Sequence, residues 1–196
     1  MASRMRRQIW LAVVASALVV SGCVSSRTTD TARTAVEQLL LSTAADRATL
    51  GILVMGLQDR KAFLDVSNME ATDKGYVAVA VRNALLQCGV PLLADAKESE
   101  VTVELGAGAL AIDRSDFLIG IPSFDIPVPG AGLIQNPEIA VFKKISQTGR
   151  AKLLLSARQT QDGKPLLVSG PHFAAAYYNR WQLLFISWRT TDIPGL

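Results

Sequence analysis

"PEIAVFKKISQTGRAKLLLSARQTQDGKPLLVSG", residues 137–170, is the stretch whose reading decides the fold. Runs rich in Ile, Val, Phe and Leu are interrupted by Thr148-Gly149 in "QTGR" and Asp162-Gly163 in "QDGK". Such pairs between β-like runs are hairpin signals, because glycine accepts the positive φ of a tight turn without steric cost. The stretch therefore predicts a C-terminal β-meander with a turn at each pair. Upstream, "SEVTVELGAGALAID" (99–113) alternates Val101, Val103 and Leu105 with Thr102 and Glu104, the period of a strand with one buried face. "KAFLDV" (61–66) reads as a further strand.

Between those strands lies a helix. In "TDKGYVAVAVRNALLQCGVP" (72–91), Val77, Val81, Ala84, Leu85 and Cys88 recur on one helical face. Asp73 stands where an N-cap belongs, Gly89 at C′, and Pro91 stops the helix. A second helix is expected in "DTARTAVEQLLLSTAADRATL" (30–50), with Val36, Leu39, Leu40 and Ala44 at helical spacing and Thr34 with Glu37 as a capping box. "GILVMGL" (51–57) is apolar on every side and fits either a buried strand or the last helical turns. Strand 61–66, helix 73–88 and strand 100–106 make a βαβ-like unit. The expectation is a single α+β domain over 31–196. Two main helices, about 31–50 and 73–88, pack on one mixed or antiparallel sheet that ends in the meander.

Two segments fit a core less readily. "DRSDFLIGIPSFDIPVPGAGLIQNP" (113–137) holds four prolines and three glycines, which speak against a long helix or a central strand. Its apolar residues nevertheless outnumber those of a solvated loop. It reads either as an irregular cover over a sheet edge or as an exposed partner-binding ledge built on Phe117, Leu118, Ile119, Ile121 and Phe124. Asp113, Asp116 and Asp125 match no calcium-loop spacing, and loop capping is the commoner use of Asp, so no metal is expected. In "AYYNRWQLLFISWRTTD" (176–192), Tyr177, Trp181, Leu184 and Trp188 fit a helical stripe, while Trp181, Leu183 and Phe185 fit a strand face. Core packing is the expected use of these aromatics, with a membrane–water interface as the other.

The amino terminus carries a different kind of signal. Arg4, Arg6 and Arg7 precede an apolar run, Ile9 to Val20, of 12 residues. A spanning helix needs roughly 20, so this is the pattern of an export signal. It ends in Val20-Ser21-Gly22-Cys23, which resembles the lipobox of bacterial lipoprotein precursors. The resemblance implies that Val20, Ser21 and Gly22 are read by the signal peptidase and that residues 1–22 are removed. It also implies that Cys23 is lipidated; in 23–30, the polar "VSSRTTD" (24–30) that follows it reads as a short tether. Val24 after the cysteine points to the outer membrane under the enteric sorting rule. One acyl chain holds only marginally, whereas two or three anchor a protein durably. The mature part is similar to an uncharacterised family of small envelope lipoproteins through "TDTARTAVEQLLLSTAAD", "FLD", "GAGALAIDRSDFLIGIP", "PEIA" and "TGRAKL". That family brings no known activity and no functional residues.

Charge and composition narrow the function classes. The chain has 20 Lys+Arg against 17 Asp+Glu, and Arg4, Arg6 and Arg7 make up the whole excess. The segment from Cys23 onward is formally neutral, which argues against a nucleic-acid partner. Cys88 has no second cysteine once Cys23 is lipidated, and the single histidine, His172, is remote in sequence. No G-x-S-x-G, H-E-x-x-H or phosphate loop occurs. The expected protein is therefore not an enzyme and needs no cofactor. It is a lipid-anchored accessory of the cell envelope, facing the periplasm from the outer membrane, with an envelope protein as partner and a homo-oligomer open to it. A membrane-inserting or secretion-pore subunit is the alternative, and an envelope hydrolase is third.

Overall fold

A computed structural model describes residues 33–196 apart from 53, 71–72 and 130–131. The signal segment, the lipobox and the tether to residue 30 lie outside the described residues. The βαβ unit expected from the alternating pattern is present. β1 (Ala62–Asp65) runs parallel to β3 (Val101–Ile121), with Ala62 opposite Val101 and Asp65 opposite Glu104. The crossover between them contains α2 (Lys74–Gln87), and the short β2 (Leu92–Leu93) flanks β1. The meander follows as β6 (Ile139–Gln159), β7 (Pro165–Leu183) and β8 (Ile186–Thr191). The six-stranded mixed sheet has the order β2-β1-β3-β6-β7-β8. A separate two-stranded sheet pairs β4 (Phe124–Val128) with β5 (Gly132–Asn136). With α1 (Ala35–Thr49) this is the α+β domain the pattern predicts.

Both helices lie over one face of the sheet, at one end of it. Leu40, Ala44, Ala45 and Ala48 of α1 and Val77, Val81 and Leu85 of α2 are buried. So are Val101, Val103 and Leu105 of β3 and Ala151, Leu153, Leu155 and Ala157 of β6. Fully burying one such aliphatic side chain contributes about 1.5–3 kcal/mol, so this layer dominates stability. α2 ends as its sequence requires. Gly89 adopts φ 79°, and the Gly89 and Val90 amides donate to Leu86 and Leu85 carbonyls, a Schellman closure. Asp73 does stand at the N-cap, but its side chain makes no capping hydrogen bond there. The carboxy-terminal strap is tied to α1 by Arg47. It donates to Asp192 Oδ2 (2.6 Å), to the Asp192 carbonyl (2.6 Å) and to the Ala175 carbonyl (2.7 Å).

Three expectations are corrected. Thr148-Gly149 is not a turn, because β6 passes straight through it. A Cβ on Gly149 would lie 2.6 Å from the Leu40 carbonyl oxygen, so glycine is there to let α1 cross close to the sheet. Asp162-Gly163 does turn the chain, with Gly163 at φ 72° and the Lys164 amide donating to Asp162 Oδ1 (3.0 Å). The described residues of "GILVMGL" are in neither strand nor helix. They form a turn-rich connection that buries Ile52, Val54 and Leu57.

Residues 113–137 are not an irregular cover either. β3 continues to Ile121, and the first proline of the segment, Pro122, falls just past its end. Pro127 sits in the two-stranded β4–β5 sheet, where a missing backbone donor is tolerated.

Candidate functional site

The strands β3, β6 and β7 are much longer than the helices that cover them, and their distal ends project beyond the core. The side-chain alternation of the pleat fixes what those ends display. On β6 the odd positions Gly149, Ala151, Leu153 and Leu155 face the helices, so Phe142 and Lys144 face away. Register then sorts the neighbours. Phe117, Lys144, Trp181 and Trp188 form one cross-strand row, and Ile119, Phe142, Leu183 and Ile186 form the next. All eight side chains belong to the face that no helix covers.

The aromatics on this face touch in sequence across the strands. Phe117 meets Phe142 edge-on at 6.0 Å, Phe142 meets Trp181 at 6.2 Å, and Trp181 stacks on Trp188 at 6.3 Å with the rings 3° apart. Lys144 Nζ sits 4.4 Å from the Trp181 ring centre, and Trp181 Nε1 donates to Thr190 Oγ1 (3.2 Å). Cross-strand pairs of this kind stabilise a sheet by about 0.2–1 kcal/mol each, enough to order a surface without hiding it. Phe117, Ile119 and Trp188 remain 55%, 53% and 44% exposed. The expected core role of the tryptophans is thus corrected: Trp181 and Trp188 lie on strands at a surface. The helical stripe is excluded because β7 and β8 form a hairpin joined by Leu184 and Phe185. Leu184 takes φ 52°, and Phe185 at the apex is 90% exposed.

The opposite face of the same strands is polar. Its rows are Leu118–Lys143–Gln182–Ser187 and Asp116–Ile145–Arg180–Arg189. Lys143 pairs with Glu138 (2.7 Å) and Arg114 with Asp116 (3.0 Å). The hydrogen bond from Arg114 holds the Asp116 carboxyl below its ordinary value. Arg180 and Arg189 stand opposite each other, and among the described residues neither enters an ion pair. Of the five ledge residues, Phe117, Ile119 and Ile121 share the outer face of β3. Leu118 points to the polar side, and Phe124 (50% exposed) opens the β4–β5 hairpin that extends this end of the sheet. The ledge is therefore part of a wider apolar surface that also takes in β6, β7 and β8.

Other chemistry in the domain is sparse. Ser169 Oγ and His172 Nε2 are 3.0 Å apart, a pairing made by the irregularity where β7 slips register against β6, and one that sequence separation had hidden. Ser169 is buried, and the His172 Nδ1 edge lies where a Cβ on Gly51 would be only 2.9 Å away, so the pair is packed inward. Among the described residues, the hydrogen-bond partner of Cys88 Sγ is the Ile52 carbonyl oxygen at 3.9 Å, and no base. Among the described residues no three His, Cys, Asp or Glu side chains come together as a metal site. A groove of about 470 Å³ runs between α1 and α2, lined by Leu39, Tyr76, Val77 and Leu110 among others. Burial and then a hydrogen bond to Asp46 push the Tyr76 hydroxyl above its ordinary pKa. Among the described residues no helix is long and apolar enough to cross a membrane.

Comparison with other proteins adds a family but no role. No curated protein matches the chain. A family description matches residues 17–180, ending before the Leu184–Phe185 turn and β8, and the chain accordingly belongs to DUF6655, a family of unknown function.

Proposed function

We propose that this protein is a lipid-anchored accessory of the cell envelope, held through Cys23 at the periplasmic side of the outer membrane, and that it acts by docking rather than by catalysis. The observation that carries the reading is the bare distal sheet. A contiguous apolar surface built on four ordered strands is unusual on a solitary domain and marks an interaction site. The ledge of β3 and the β4–β5 hairpin (Phe117, Ile119, Ile121 and Phe124) is the part offered to an envelope protein partner. Phosphate cradles, metal clusters and exposed nucleophile–base pairs play no part in this reading.

The test has two parts. Intact mass of the membrane-extracted protein should start at Cys23 with acyl chains added, in the outer-membrane fraction, and a Cys23→Ser variant should lose both. Cross-linking in intact cells should then yield one protein partner that disappears in an Ile119→Ser, Phe124→Ser double variant of unchanged stability. A chain starting at Met1 in the soluble fraction refutes the anchor. An unchanged partner in the double variant refutes the ledge.

A second reading, a membrane-inserting oligomer, is favoured by the apolar-out, polar-in alternation of the distal strands. It is also favoured by open edges on β3 and β8, which a neighbouring copy could pair. It predicts a large ring-like assembly in detergent, visible by light scattering. A monomer at every concentration refutes it.

A further inference from the structure

The β7–β8 hairpin has an order of side chains along its length that the docking reading above does not require. At the apex are Leu183, Leu184, Phe185 and Ile186, all exposed. One row further back the stacked Trp181 and Trp188 span the hairpin, with Lys144 over the Trp181 ring. Behind them Arg180 and Arg189 face each other across the strands on the other side of the sheet. Asn179, Thr190 and Thr191 follow. Apolar, then tryptophan and cation, then neutral polar is the sequence met on passing from acyl chains through headgroups into water.

The pair of arginines is the most telling element. Like charges directly opposed on a sheet are destabilising, and among the described residues no carboxylate forms an ion pair with either of these two. An anion supplied from outside would. We propose that the apex of the β7–β8 hairpin docks into the headgroup region of a phospholipid bilayer, with Leu184 and Phe185 in the acyl boundary and Trp181, Trp188, Lys144, Arg180 and Arg189 at the level of the phosphates. A second copy is a poorer occupant, because stacking two such ends brings their cations together.

Chain geometry agrees, on the reading that Cys23 is anchored as proposed above. Val36 at the start of α1 packs with the cluster of Leu40, Ala176 and Tyr178, whereas Gly51, just past the helix's end, lies beside His172. The helix thus begins at its distal end. From Cys23 to Ala35 the chain can reach at most about 40 Å. Tyr178 to Leu184, six strand residues, covers about 20 Å. The segment from Cys23 is therefore long enough for the anchor and the apex to reach one membrane surface.

The experiment uses the full chain in a Trp10→Phe background, so that fluorescence reports Trp181 and Trp188. The probe is phosphatidylethanolamine–phosphatidylglycerol vesicles with acyl chains brominated near the headgroup, and flotation is read in parallel. Expected is strong quenching that weakens with salt and with all-zwitterionic vesicles. A Leu184→Ser, Phe185→Ser variant should lose quenching about tenfold in lipid titration while floating as before and keeping its unfolding midpoint. Flotation without quenching overturns the docking and leaves the anchor standing. Quenching with no acyl chain on Cys23 supports the docking and refutes the anchor, and neither signal refutes both. Undiminished quenching in the double variant, or self-association in place of quenching, also overturns the proposal.

Discussion

The same three strands, β3, β6 and β7, build two regions with opposite economies. In the proximal half their helix-facing side chains are sealed beneath α1 and α2, with Val103, Leu105, Leu153 and Leu155 essentially without solvent contact. In the distal half neither face is covered by a helix, and large apolar side chains such as Phe117, Ile119 and Phe185 stand in solvent. Backbone pairing runs through both, broken only by local bulges in each, so hydrogen bonding does not separate them. What separates them is the cover. The proximal half holds the fold together, and the distal half is ordered by it.

Substitutions should expose that asymmetry. Gly149→Val places a branched side chain where even a Cβ meets the Leu40 backbone at 2.6 Å. It should cost upwards of about 3 kcal/mol or abolish folding, read by denaturant midpoint. Leu153→Ala, fully buried, should cost about 2–5 kcal/mol. Ile119→Ala removes a comparable aliphatic group from the distal half and should change stability by no more than about 0.5 kcal/mol. Equal losses at Leu153 and Ile119 would mean that the distal face is covered in solution and would break the comparison.

A smaller effect sharpens it. Burial pushes Asp192 up, but the Tyr177 amide and the Arg47 guanidinium outweigh it and hold the carboxyl below its ordinary value. A lowered folded value stabilises the domain above the unfolded carboxylate pKa of about 3.9 and loses that contribution as pH falls through the folded value. Asp192→Asn should therefore cost about 1 kcal/mol at neutral pH, modest because each side chain of the ion pair is about a third open to water. The difference from the parent should shrink below about pH 4. A penalty that stays constant down to pH 2 would assign the effect to packing instead.

The proximal half was largely legible from residues alone, since its periods are local: 3.6 in Val77, Val81 and Leu85, and 2 in Val101, Val103 and Leu105. Gly89 and Gly163 each declared a positive φ that the structure bears out. Thr148-Gly149 misled because a glycine that admits a neighbouring helix looks, in sequence, the same as one that turns the chain. Only the crossing of α1, more than a hundred residues earlier, distinguishes them. In 113–137 the density of prolines obscured that residues 113–121 contain none, which is why the strand running through them was missed. Trp181 and Trp188 read as core because hydrophobicity names a need for cover without saying who supplies it. The row that joins Phe117, Lys144, Trp181 and Trp188 is set by register across four strands, and no single segment contains it.

The hairpin turn carries a last consequence. A positive φ on Leu184 alone, with Phe185 following it, places leucine in the position of a tight turn where glycine is at ease and a bulky residue pays about 1 kcal/mol. A chain under selection for foldability alone would set Gly at this site. Leu184→Gly is accordingly expected to raise the melting temperature slightly while weakening lipid docking, a trade of activity for thermostability. For anyone improving expression or crystallisation of this domain, the most tempting stabilising change is thus the one to leave out of every functional assay.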